Sequence, residues 1–222
     1  MSFEVKIVFD NKCVKDGFLP GFGFSALIHN LLTDKYLLFD TGGNSQVLIH
    51  NINQFGVDLL DISKIIISHN HHDHNGALYD LYHLNNKISL YIPDNIENYQ
   101  RQFSNAQIHL LTDCTEIEQN IYVSGQFGTS IKEQALFLKT GDHDLILLVG
   151  CTHPGLENFI LEARKMNPIK AIIGGFHGFR KYSYLNGIDF IGACHCTANI
   201  NDIKMKLPGN YRKVCVGDSY SF

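Results

Sequence analysis

The 222-residue chain has no long apolar run. Stretches such as "DLILLVG" (144–150) are strand-length and far too short to span a bilayer as a helix, so no membrane partner is expected. Basic residues are not in excess. Eighteen Lys and Arg face 22 Asp and Glu, for a net charge of −4, and no basic patch stands out, so nucleic acid is not an expected partner. The first residues, "MSFEVKIVFDN", lack a basic segment followed by an apolar one. No secretory signal is read there, and a cytoplasmic location is the expectation. No low-complexity segment, linker or charge run divides the chain, so one domain is expected over 1–222. A composition of 45% hydrophobic and 18% charged residues excludes disorder and fibre. What remains is an enzyme or binding protein acting on a small molecule, with homo-oligomerisation left open.

Cysteine is modestly represented: Cys13, Cys114, Cys151, Cys194, Cys196 and Cys215. Without a secretory signal, reduced thiols are the expectation. Histidine is the abundant exception, with 12 residues.

Apolar periodicity predicts strands at 3–9, 23–32, 35–40, 64–68 and 88–93, with helices at 45–55, 76–84 and from Pro93 to about Phe103. Further strands are predicted near 108–111, 120–124, 135–139, 145–149, 170–175 and 189–194. Helices are predicted at 155–165, with Pro154 at its first position, and from an N-cap at Thr197 to about Leu207. The alternation gives a mixed α/β chain with two sheets.

Residues 65–78, "IIISHNHHDHNGAL", place four histidines and an aspartate in six residues after a buried strand. Imidazole and carboxylate together suit Zn²⁺, Mn²⁺ or iron. His69 and His71 can reach one ion from an extended loop, while Asp73 and His74 can face a second. A loop at the carboxyl end of a strand is where catalytic groups usually sit.

"SHNHHDHNGAL" resembles the signature loop of the metallo-β-lactamase superfamily, and "LLFDTGG" (37–43) is similar to its Asp-Thr-Gly turn. The resemblance implies an α+β four-layer αββα sandwich and two divalent metal ions. Zn²⁺ is the first expectation, with Mn²⁺, Fe²⁺ and Mg²⁺ open. It also implies His69 and His71 on the first metal, Asp73, His74 and His195 on the second, and Asp40 holding the loop rather than binding metal. "GCTH" (150–153), "GGFH" (174–177) and "CHCT" (194–197) resemble a narrower archaeal and bacterial group. That group includes the dihydropterin–aminobenzene ribofuranosyl phosphate synthases of methanopterin biosynthesis.

The third histidine of the first metal is missing from its usual strand, "GTSIKEQALFLK" (128–139), where Glu133 is the nearest candidate. His153 is the favoured replacement. Cys151 stands where a bridging aspartate is usual, as a ligand or a supporting group. His177 is a candidate for substrate contact or acid/base work, or a packed loop residue. Cys194 and Cys196 flank His195 on a strand, so alternation turns both away from the metals, as packing residues. His72 is a spacer, and His29, His50, His83, His109 and His143 are expected in solvent. "FLPGFGF" (18–24) is either an aromatic flap or a core-packed turn, with the second preferred.

Three functions follow. The first is a hydrolase in which hydroxide generated at the metals attacks an ester, lactone or phosphoester, with Asp73 orienting the nucleophile. The second, implied by the narrower resemblance, is a dihydropterin-diphosphate transferase. The third is a metal-binding or redox-sensing scaffold without catalysis.

Overall fold

The computed structural model describes residues 1–141 and 143–222. The first half of the chain lays down β1 (Phe3–Phe9), β2 (Ser25–Asn30), β3 (Lys35–Phe39), α1 (Ser45–Gln54) and β4 (Ile62–Ile66). There follow α2 (His72–Asn75), α3 (Leu78–Leu84), β5 (Ser89–Ile92), α4 (Ile96–Gln102) and β6 (Ile108–Leu110). The second half supplies β7 (Thr115–Glu118), β8 (Ile121–Val123), β9 (Leu136–Thr140), β10 (Asp144–Val149) and α5 (Leu156–Arg164). It ends with β11 (Ile169–Gly175), β12 (Phe190–Cys194), α6 (Ile200–Lys206) and β13 (Ser219–Ser221).

Two sheets form, in the orders β13-β1-β2-β3-β4-β5-β6 and β12-β11-β10-β9-β8-β7. Each is antiparallel at one end and parallel at the other. β3 to β6 run parallel in the first, and β10 to β12 in the second. Strand alternation sorts the side chains into three cores. Val5, Ile7, Leu37, Phe39, Leu136, Leu138, Ile146 and Leu148 meet between the sheets. Leu38, Ile65 and Ile67 face outward against Leu48, Ile52 and Leu81 of α1 and α3. Leu145, Leu147 and Val149 face the other way, onto Leu156, Phe159 and Ile160 of α5. Helices thus cover both outer faces, and the fold is the expected four-layer αββα sandwich. Phe159 is fully buried in this outer core. Its loss to alanine would cost about 3–5 kcal/mol.

The parallel strands matter most, because they deliver their carboxyl ends to one edge. β3 leads to Asp40, β10 to Thr152, β11 to His177 and β12 to His195. All four residues are left-handed, with φ of 60°, 62°, 42° and 46°. A non-glycine residue there costs on the order of 1–3 kcal/mol, and such residues cluster at functional sites.

Several local expectations are corrected. The histidine loop contains a helical turn, α2, before α3 begins at Leu78. α5 starts after Gly155 and α6 after Asn199, so neither Pro154 nor Thr197 holds the expected position. Thr197 instead closes a turn: its Oγ1 donates to Cys194 O (2.7 Å) and accepts from Phe176 N (2.9 Å). The thiols are not all reduced, because Cys13 and Cys215 form a disulfide across 202 residues. Local pairing brings them together: Val216 N donates to Cys13 O and Lys15 N to Val216 O, both at 2.9 Å. Cys114, Cys151, Cys194 and Cys196 are free. His29, His50 and His109 are not simply solvated. His29 bonds Asp34 (2.7 Å) and stacks on Tyr36, His50 bonds Gly17 O (2.9 Å), and His109 stacks on Tyr91. His72, His83 and His143 are exposed, as expected.

Candidate metal centre

Asp40 is the fixed point of the site. Its side chain is fully buried at the end of β3. Oδ1 accepts from Ser68 N at 2.6 Å, and Oδ2 accepts from Ser68 Oγ and His74 Nδ1, both at 2.7 Å. Asp40 therefore anchors the histidine loop, as expected. These bonds also set tautomers. With Nδ1–H donated to Asp40, the Nε2 lone pair of His74 faces inward. Ser68 Oγ gives its proton to Asp40 and accepts from His69 Nδ1 (2.9 Å), so His69 Nε2 is likewise a bare lone pair.

His195 is held the same way from the far end of the chain. Its backbone N–H donates to Asp10 Oδ1 (2.8 Å), and its Nδ1 donates to Asn11 Oδ1 (2.9 Å). Its Nε2 then faces the site. Asp10 and Asn11 carry no positioning role in the sequence reading. Asp10 follows β1 in one sheet and His195 follows β12 in the other, so only the packing of the two sheets brings them together.

Two groups of donors result. His69, His71 and His153 bring one ligand atom each within 4.8 Å of one another, and so do Asp73, His74 and His195. His69 Nε2 lies 3.0 Å from His71 Nδ1. His74 Nε2 lies 3.2 Å from His195 Nε2 and 3.6 Å from Asp73 Oδ2, which is 3.2 Å from His195 Nε2. Two nitrogens on one tetrahedral zinc at about 2.0–2.1 Å stand about 3.4 Å apart, so these spacings fit ions at both positions. His153 Nε2 decides the fit at the first: it is buried and has no hydrogen-bond partner among the described residues. A buried polar atom left bare is costly unless something binds it.

The electrostatics agree. Burial, then the neighbouring imidazoles, pushes His69 far below its ordinary range. Burial, then His71 and His177, lowers His153 to about 4. Burial would also lower His74, but Asp40 and Asp73 outweigh it and raise it. Burial would raise Asp73, but the His195 hydrogen bond and His74 draw it down to about 2. His69 and His153 are thus neutral imidazoles, ready to bind a cation, and the second group carries a carboxylate.

Cys151 lies between the groups, with its Sγ 3.2 Å from His74 Nε2. Glu133 is not beside them as a donor. Fully buried, it accepts the backbone N–H groups of Cys151 (2.8 Å), Thr152 (2.7 Å) and His153 (2.7 Å). Its role is to clamp the turn that presents Cys151 and His153. Burial pushes its carboxyl up to about 7 against those three donors. Gly150 is needed at that turn, since a Cβ would stand 2.1 Å from Ser68 Oγ.

Cys196 corrects the packing assignment. Cys194 does pack, at 1% exposure in the inter-sheet core. The strand ends there, and the left-handed His195 breaks the alternation, so Cys196 turns toward Cys151 and His195. The closeness of the two thiols pushes Cys151 up and draws Cys196 down to about 7. The "FLPGFGF" turn also divides. Phe24 is core and Phe18 packs on Phe55, but Phe22 is 71% exposed with its ring 5.9 Å from that of His195. His177 is exposed, with its ring 5.1 Å from that of His153.

The metallo-β-lactamase superfamily model matches residues 19–121, which include Asp40 and the whole histidine loop. Over those residues, a little under half of its length, the chain resembles a metallo-β-lactamase superfamily domain. Members of this superfamily generally bind divalent metals, and the histidine, aspartate and cysteine clusters can hold them. The metallo-β-lactamase-fold protein YhfI from Bacillus subtilis superposes with a TM-score of 0.72 at 13% identity, covering 99% of both chains. A diphosphatase from the PhnP family superposes with a TM-score of 0.67 at 12% identity, covering 100% of this chain and 98% of that one. Among curated relatives, an uncharacterized protein of Methanocaldococcus jannaschii is 29% identical over 87% of this chain and 90% of its own length. A 7,8-dihydropterin-6-methyl-4-(β-D-ribofuranosyl)-aminobenzene-5'-phosphate synthase of the same organism is 23% identical, over 64% of this chain and 65% of the synthase.

Proposed function

We propose that the protein is a metal-dependent hydrolase with two divalent ions, zinc foremost, acting on an anionic ester such as a phosphoester. The carrying observation is the bare, buried Nε2 of His153 beside His69 and His71, next to a second group built on Asp73, His74 and His195. When bound, the ions would supply Lewis-acid activation of water at neutral pH. The remaining roles belong to the chain. Asp73 engages His195 through Oδ2 and leaves Oδ1 to accept a hydrogen bond from the attacking water. His177 stands at the mouth beside His153, placed to hold or give a proton at the leaving oxygen. Phe22 covers His195 and limits water on that side.

The substrate class rests on the adjoining cavity. It encloses about 370 Å³ and is lined by His153, His177, Phe179, Glu157, Arg180 and Lys181. Glu157 offsets Lys181 through a 2.6 Å ion pair, which leaves the Arg180 guanidinium as the net charge facing an incoming anion. Arginine suits phosphate and carboxylate through its planar fork.

The test is elemental analysis of the purified protein with a panel of phosphoester, lactone and thioester substrates. The reading expects turnover of at least one phosphoester, and its collapse in Asp73→Ala. Asp73→Ala with full metal content and full activity would refute the assignment.

A second reading is favoured by the likeness to the M. jannaschii synthase. There the protein would be a transferase that displaces diphosphate from a dihydropterin diphosphate with an electron-rich aromatic carbon. Diphosphate release that requires a ribofuranosyl aminobenzene phosphate, rather than water alone, would select it.

A further inference from the structure

We propose that Cys196 is a second sulfur donor, beside Cys151, to an ion held at the Cys151–His195–Cys196 end of the site, and that this makes the position selective for thiophilic ions over Mg²⁺ and Mn²⁺. The proposal rests on the reading that this group of side chains holds a divalent ion.

Three observations place the sulfur. Cys151 Sγ, Cys196 Sγ and a ring nitrogen of His195 lie within 4.8 Å of one another. Two thiolates on one tetrahedral zinc at about 2.3 Å stand about 3.8 Å apart, so little movement is needed. Gly175 opposite leaves the space. A Cβ there would stand 2.6 Å from Cys196 Sγ and 3.3 Å from His195 Cδ2. The segment is also fixed rather than loose. Thr197 ties it to Cys194 O and Phe176 N, and Ala198 N donates to His177 O at 2.9 Å.

The alternative, a packing cysteine, is filled by Cys194, not Cys196. Cys196 is half-buried, lies outside the three cores, and meets Cys151 O only at 3.9 Å. Soft thiolates favour zinc, cobalt and cadmium, while Mg²⁺ and Mn²⁺ favour oxygen ligands. Each thiol releases its proton to solvent as its sulfur–metal bond forms, so two thiols account for two protons per ion.

The experiment is a Co²⁺ titration of the metal-free, thiol-reduced protein. Visible ligand-field bands report cobalt bound at all, and a near-ultraviolet band reports sulfur-to-cobalt charge transfer. Wild type should show both. Cys196→Ser should keep the visible bands and lose about half of the near-ultraviolet intensity, with Cys151→Ser losing a similar share. An undiminished near-ultraviolet band in folded Cys196→Ser overturns the proposal and leaves the metal centre standing. Absence of visible bands in wild type overturns the metal centre itself and the proposal with it. Alkylation of the wild-type protein gives a check that needs no variant. One equivalent of Zn²⁺ should protect Cys196 from iodoacetamide and the same concentration of Mg²⁺ should not. Equal labelling with and without Zn²⁺ overturns the proposal.

Discussion

Asp40→Asn would separate the geometry of the site from its charge. The backbone at residue 40 is left-handed (φ 60°), and asparagine tolerates that region as aspartate does. Volume is unchanged, so packing around a fully buried side chain is preserved. The amide oxygen can keep the bond from Ser68 N. The amide nitrogen then occupies the place of Oδ2, where it faces Ser68 Oγ and His74 Nδ1. Ser68 can rotate its hydroxyl and accept. His74 cannot adapt without cost. Its Nδ1–H would meet another donor, so the ring must move its proton to Nε2, the atom that faces Cys151 and His195. A protonated Nε2 cannot bind metal. One charge-assisted bond in a buried site is lost, worth about 1.5–3 kcal/mol. In a chain of this length that is a fall in Tm of about 3–12 °C. Loss of an orienting partner of a ligating histidine weakens metal binding by about 10–100-fold. Thermal unfolding of the metal-free protein and calorimetric titration with Zn²⁺ measure the two effects. An Asp40→Asn protein that binds its second equivalent of Zn²⁺ within about threefold of wild type would refute the tautomer argument.

Two further outcomes are expected. The Cys13–Cys215 bond closes a loop of 202 residues, for which the chain-entropy model gives about 5 kcal/mol as an upper figure. The double serine variant, or wild type in reductant, should therefore melt well below the oxidised protein, and coincident melting curves would show the bond unformed in solution. Stability of the metal-free protein should also fall on the acid side. His153 sits at about 4 when folded against an ordinary 6.5, so below pH 6.5 the unfolded chain takes up the proton first. The stability present at neutral pH is lost as pH falls from about 6.5 through about 4, and His69, pushed down by burial, acts in the same direction. His153→Gln should flatten part of this slope in thermal melts, and an unchanged slope would exclude His153 as a contributor.

The sequence is readable where the chemistry is local. The histidine loop packs His69, His71, Asp73 and His74 into six residues, and β3 and β4 announce themselves as short apolar runs on either side of Asp40 and α1. His153 is singled out by its place at a strand-to-helix turn, and His195 by the superfamily resemblance after an apolar strand. What escaped depends on a single dihedral or on distant pairing. Cys196 would face away from the metals if His195 were extended, and one φ of 46° brings it to Cys151 instead. Glu133 looks like a ligand in isolation, and becomes a clamp only when the turn 18–20 residues later lays three N–H groups on it. The disulfide needs both ends of a 202-residue span to meet, and nothing near either cysteine encodes that meeting.

These misses share a cause that bears on function. The four sharp turns at Asp40, Thr152, His177 and His195 each cost backbone energy, and three of them, at Asp40, Thr152 and His195, are held by buried hydrogen bonds to carboxylates. Asp40 bonds Ser68 and His74, Glu133 bonds the Thr152 turn, and Asp10 bonds the His195 backbone. Three buried carboxylates thus fix the ends of strands from both sheets, and none of the three is placed to bind an ion. The division of labour explains why the donor atoms themselves can remain bare: the positioning is done from behind, by groups that spend their own lone pairs on N–H donors. Substitution at Asp40, Glu133 or Asp10 should therefore displace a whole turn, whereas substitution at Cys151 removes one side chain from the turn that Glu133 holds.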